Sequence, residues 1–257
     1  MSLVETEPRG AAIWLWLNRP DRHNALVPAL VSEVRSAIAQ AAEADPVALV
    51  LSGRGASFST GGDIGGFLDH AATPGDLLAY SEVLVGGLHE AILDLLTFPA
   101  PVLAAVNGPV TGGAAGLLLA ADLVAMSETA FVQPYYNQVG FGPDGGWTAL
   151  LPERIGTSKA LAIQYRNTRI SATDAVALGL AECRVPGTDL VATVDGWVAD
   201  LGRGFAQTHR ATRQSVWDEH RRTTVRERLD QEKARFLDLV SRQSTLDGMM
   251  EFTRKWA

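Results

Sequence analysis

Cysteine is the scarcest feature of this chain: Cys183 stands alone among 257 residues, so no intramolecular disulfide can form. Long apolar runs are missing too. The most apolar stretch, AAGLLLAA at 114–121, is too short to span a bilayer and reads as a buried helix. Positive charge is in deficit: 22 Lys and Arg against 29 Asp and Glu give a net charge of -7. A general nucleic-acid binder needs a basic face to displace phosphate counterions, so that class is disfavoured. His70, His89, His209 and His220 show no metal-ligand spacing with acids or with the single thiol, and no metal is expected. No internal repeat, low-complexity tract or basic-then-apolar leader is visible, and the expected address is cytoplasmic, with no membrane partner.

What is present is an ample core. Apolar residues make up 47% and charged residues 20% of the chain, the balance of a folded protein with one large domain and an appendage. AAIWLWL at 11–17 reads as a strand, NRPDRHN at 18–24 as a loop, and Leu26, Leu30, Val34, Ile38 and Ala41 recur at helical spacing before the strand VALVL at 47–51. The pattern repeats with a helix from about Leu77 to Leu96, a strand at 102–106, the apolar helix from Gly112 to Ala121 and a strand at 123–126. Alternating strands and helices predict parallel pairing. After about residue 186 only helical charge patterns remain, with opposite signs at the spacing of a solvated face. The expected division is therefore 1–186 and 187–257.

Two glycine-rich segments leave strands in this frame. FSTGGDI at 58–64 follows the strand at 47–51, and NGPVTGGAAG at 107–116 follows the strand at 102–106. Exits of parallel strands fall on one sheet edge, where ligands usually bind, and a helix start offers free N–H donors. Together the two segments are able to hold an oxyanion, although a glycine pair is also ordinary loop punctuation. Asp144, in GFGPDGGW at 140–147, has two readings from the residues alone. Aspartate after proline is a common turn residue and can cap a helix beginning near Trp147; it can equally be an acid–base group walled by Tyr135, Tyr136, Phe141 and Trp147.

In order and spacing, these motifs resemble the crotonase, or enoyl-CoA hydratase/isomerase, superfamily. The likeness covers nearly the whole chain, including NRPDRHNAL at 18–26, both glycine segments, ISATDAVALGLA at 170–181 and the helical tail. It implies an α/β crotonase-like ββα spiral with a helical C-terminal oligomerisation region, assembled as a homotrimer or hexamer. It further implies an acyl-CoA thioester substrate, with coenzyme A as part of that substrate and no permanently bound cofactor. The oxyanion-hole amides would be those of Gly62 and Gly113. Substrate contacts would fall on Arg22, Ala25, Thr60, Gly61, Asp63, Ile64, Gly108, Pro109, Gly112, Pro134 and Tyr135, and Phe252 and Lys255 resemble residues that some relatives lend to a neighbouring subunit.

The chain departs from the two-glutamate hydratases. Their acids align with Gly116 and Tyr135, neither of which activates water. Asp144 instead resembles the single acid of Δ3,Δ2-enoyl-CoA isomerases, which shuttles a proton between C2 and C4. The expected function is thus a double-bond shift. Hydration, hydrolysis, dehalogenation and CoA-ester binding without turnover are the alternatives.

Overall fold

The computed structural model describes residues 2–73 and 75–256. A hairpin opens the fold: β1 (Val4–Arg9) pairs antiparallel with β2 (Ala12–Leu17). Helix α1 (Pro28–Glu43) follows, with proline in its first turn, then β3 (Ala48–Gly53), α2 (Ile64–Ala71), α3 (Asp76–Thr97) and β4 (Val102–Val106). A short β5 (Val110–Thr111) leads through a 3₁₀ turn at Gly112–Ala114 into α4 (Ala115–Leu119). Next come β6 (Leu123–Ser127), β7 (Phe131–Gln133), α5 (Tyr136–Val139), α6 (Leu151–Ile155), α7 (Thr157–Arg166), β8 (Ile170–Ser171), α8 (Ala172–Leu178) and β9 (Cys183–Val185). The remaining helices are α9 (Leu190–Arg203), α10 (Ala206–Val216), α11 (Glu219–Val240) and α12 (Gln243–Trp256).

The main sheet runs β1-β2-β3-β4-β6-β9, with every pair after the hairpin parallel, as the alternation of strands and helices predicts. Its first strand is antiparallel and was not foreseen: VETEPR is polar on one face and carries a proline. Alternating side chains bury both faces, the arrangement that parallel strands require. Leu15, Leu49, Leu51 and Ala104 face α1 and α3, while Trp14, Val50, Leu103 and Ala125 face Leu190, Val194 and Val198 of α9. Covering the sheet with α9 means that the helical region from 187 onward contributes to the core as well as to the surface. Cys183 is half-buried, in β9 at the sheet edge.

A second sheet, β5-β7-β8, is made of segments two or three residues long. It sits beyond the carboxyl end of β4 and presents the turn that opens α4. The 170–181 motif is β8 followed by α8: Ser171 and Asp174 form a reciprocal capping box, and Gly179 closes the helix at φ +73°.

Candidate active site

The two glycine segments meet. Ser59 N–H donates to Pro109 O and Thr111 N–H to Ser59 O, both at 3.1 Å, stitching the exits of β3 and β4 together. A second bridge joins the NRPDRHNAL loop: Leu26 N–H donates to Gly61 O at 2.7 Å and Asp63 N–H to Leu26 O at 3.0 Å. Because successive amides of an extended segment point to opposite sides, the Gly62 N–H between them is turned away from this ladder. Gly113 lies in the first turn of a helix, whose N–H groups have no intrahelical acceptor.

Both glycines line one cavity of about 650 Å³. Arg22, Ala25, Thr60, Asp63, Ile64, Pro109, Gly112, Pro134, Tyr135 and Asp144 line it too. Gly61 and Gly108 do not, and their glycine has another reason. A Cβ at Gly61, which has φ +76°, would lie 2.6 Å from Thr111 O, and one at Gly108 would lie 2.1 Å from Ala56 O. They permit backbone to pack on backbone. Asp63 is committed to its surroundings: its carboxylate accepts from Gly65 N–H as the cap of α2 and pairs with Arg19 at 2.7 Å and Arg22 at 3.0 Å. Those partners hold its pKa below the usual range although burial alone would raise it.

Asp144 does not cap a helix. The chain from 145 to 150 is a run of turns and α6 starts only at Leu151. Its carboxyl is 7% exposed and lies against Gly113: a methyl group on that glycine would sit 2.9 Å from Oδ2 and 3.1 Å from Oδ1. Tyr136 Oη donates to Oδ1 at 2.5 Å and to the Asp144 carbonyl at 2.9 Å. Burial pushes the Asp144 pKa up to about 7; the Tyr136 hydrogen bond favours the carboxylate and the charge of Glu232 opposes it. Tyr136 was expected as wall, and its hydroxyl as a partner of Asp144 was not. Trp147 is outside the cavity and donates from Nε1 to Gly112 O at 2.8 Å, securing the turn before Gly113.

Around the acid the cavity is apolar. Phe67, Leu84, Val85, Leu88, Val139, Phe141 and Phe236 line it, with ring centroids of Phe67, Phe141 and Phe236 4.8–5.9 Å apart. Phe252 of α12 lines the same cavity and meets Tyr135 edge-on at 5.6 Å, so this helix closes over its own chain's cavity. Lys255 pairs with Glu251 on the exposed side. Gly116 leaves no room for a side chain, since a Cβ there would lie 2.4 Å from Ile92 Cδ1 and 2.6 Å from Gly145 O. Among the described residues no group of three His, Cys, Asp or Glu is placed to hold a metal, and no helix is long and apolar enough to cross a membrane.

A sequence model of the enoyl-CoA hydratase/isomerase family matches residues 9–257. The chain belongs to that family. A protein of Rhodobacter capsulatus named "Probable enoyl-CoA hydratase" is 34% identical over 189 residues, 73% of this chain and 70% of that one. The crystal structure of an enoyl-CoA hydratase/isomerase from Mycobacterium paratuberculosis superposes with a TM-score of 0.87 at 26% identity, covering 98% of each chain. An enoyl-CoA hydratase from Bacillus halodurans gives 0.90 over 97% of this chain and 100% of that one, and at 22% identity it shows the shared crotonase fold alone.

Proposed function

We propose that this family member takes an acyl-CoA thioester and moves its double bond from the 3,4 to the 2,3 position. The observation that carries the reading is the pairing of Asp144 with Gly113 beside a sealed Gly116. One buried acid touches the glycine where a thioester oxygen would be received, and the position aligned with a hydratase glutamate has no space for a side chain.

In this reading the N–H groups of Gly62 and Gly113 receive the thioester oxygen. They stabilise the dienolate as charge moves onto that oxygen, each donor contributing about 3 kcal/mol. Asp144, ionised, removes a proton from C2 and its conjugate acid delivers that proton to C4, which turns the 3,4 double bond into the 2,3 double bond; in the reverse direction the proton is taken from C4 and returned to C2. An acid with a pKa near 7 is suited to both halves of the exchange. Tyr136 holds Oδ1, leaving Oδ2 for the proton. The apolar wall of Phe67, Phe141 and Phe236 suits a hydrocarbon acyl group and excludes the water that hydration would consume. The 22–25 and 60–64 segments, with Pro109, Pro134 and Tyr135, would hold the coenzyme A portion, free of any permanent cofactor. A trimer or hexamer in the cytoplasm completes the proposal, and light scattering of the purified protein checks the assembly.

The test is a 3-enoyl-CoA and a 2-enoyl-CoA offered side by side, followed by ultraviolet absorption and mass. Conjugation of the first ester with no change in mass supports the isomerase. A gain of one water by the second would mean that hydration, the activity in many relatives' names, proceeds here without the aligned glutamates. A covalent acyl-enzyme would point to Asp144 as a nucleophile.

A further inference from the structure

Helix α11 is charged along most of its length, yet Glu232 is only 2% exposed. Its carboxylate is surrounded by donors from one loop. Oε1 accepts from Thr148 N–H at 2.6 Å, Thr148 Oγ1 at 2.7 Å and Ala149 N–H at 3.0 Å, and Oε2 accepts from Gly146 N–H at 2.8 Å. The only ionisable side chain paired with it among the described residues is His89, with Nε2 3.8 Å from Oε2. Burial and the nearby Lys233 hold that imidazole down at about 4, so it is neutral and brings no positive charge. Burial raises the Glu232 pKa, but four donors and no acceptor match the anion, which we therefore assign.

The loop so held begins at Asp144. Gly145 and Gly146 have φ of +64° and +84°, and a Cβ on Gly145 would lie 2.2 Å from Gly113 O. This stretch is thus pressed onto Gly113 without a ladder of its own. Its inward amides are buried donors that need an acceptor, and α11 supplies one. The Gly145 N–H approaches His89 Nε2 at 3.4 Å from the side of α3.

We propose that Glu232 is a positioning residue: by collecting the amides of Gly146, Thr148 and Ala149 it fixes the loop that aims Asp144 at Gly113. The inference rests on the proton-carrying role given to Asp144. It has an electrostatic consequence as well. The ionisable groups facing Asp144 are Tyr136 from α5 and Glu232 from α11, with His89 of α3 behind Gly145 and Lys233 beyond it. Tyr136 favours the Asp144 carboxylate and Glu232 opposes it, so neutralising Glu232 lowers the pH at which Asp144 loses its proton.

The experiment titrates the Asp144 carboxyl by infrared difference spectroscopy in the full-length protein, assigning the band by its loss in Asp144→Asn, and measures turnover of a 3-enoyl-CoA alongside. In Glu232→Gln we expect the titration midpoint to move down by about one pH unit and kcat to fall about tenfold or more, with ester affinity kept within about two-fold. Glu232→Asp keeps the charge but withdraws it from the loop; there kcat falls while the midpoint moves by less than in Glu232→Gln. This second variant also covers the case in which the first does not fold. An unmoved midpoint and unchanged kcat in a folded variant overturn the proposal, as does a kcat loss matched by lost affinity. Turnover that survives in Asp144→Asn sinks the proton-carrying role of Asp144 instead, and the titration still decides whether Glu232 governs Asp144.

Discussion

The turn at Asp144 and the middle of α11 each bury one carboxylate, and the two are treated oppositely. Glu232 receives four hydrogen bonds from three residues of one loop. Asp144 receives one side-chain hydrogen bond, from Tyr136 to Oδ1, and its other oxygen faces Gly113 at the cavity. A carboxylate saturated with donors is fixed as an anion and holds structure. One left half-satisfied in an apolar wall has a proton affinity near neutrality and a free lone pair for exchange.

The largest effect expected from breaking this contrast is on the half-satisfied acid. Asp144→Asn should cost about 10²- to 10⁴-fold in turnover, measured on a 3-enoyl-CoA, with ester binding retained by calorimetry. Stability should respond in the other direction. The folded pKa of Asp144 is about 7 against 3.8 for the free side chain, so its contribution to stability is present below about pH 4 and is lost as pH rises through 7. Melting curves of the wild type should therefore fall over that window more steeply than those of Asp144→Asn.

Glu232→Ala should show the reverse balance. Three amides and a hydroxyl would lose their acceptor, at a cost of roughly 3 kcal/mol or more in denaturant unfolding, a larger loss than Asp144→Asn shows at the same pH. The smallest effect is on the tuning. Tyr136→Phe removes the bond that favours the Asp144 carboxylate, so the rise of activity with pH should move upward by about one unit, opposite to the shift in Glu232→Gln. Equal shifts of one sign in both variants would mean that general loosening, not charge, sets the titration.

Much of this site was legible in the sequence because glycine pairs and a Pro-Asp-Gly turn are local signals. Gly62, Gly113 and Asp144 come from three separate segments, and the structure brings them to one cavity. The hairpin strand β1 and the two- and three-residue strands of the second sheet were not legible, since segments so short or so polar carry no clear two-residue period. Charges posed a different problem. The tail read as a solvated face, yet Arg213 is buried and donates to the carbonyls of Leu95, Leu96 and Phe98 at the end of α3 while pairing with Asp122. For Glu232 a signal did exist. It falls at helical spacing on the stripe Val225, Leu229, Phe236 and Val240, all buried. An acid on an apolar stripe announces a buried partner, but which loop supplies the donors is decided only by the fold.

The central claim is that Asp144 carries the proton of a double-bond shift. It is tested most directly by following absorption of the conjugated thioester as a 3-enoyl-CoA meets the wild type and Asp144→Asn across a pH series. The account predicts conversion that rises with pH through about 7 in the wild type and is nearly abolished in the variant at every pH. Comparable conversion by the variant, or a wild-type rate indifferent to pH between 5 and 9 (about two units either side of that midpoint), would contradict it.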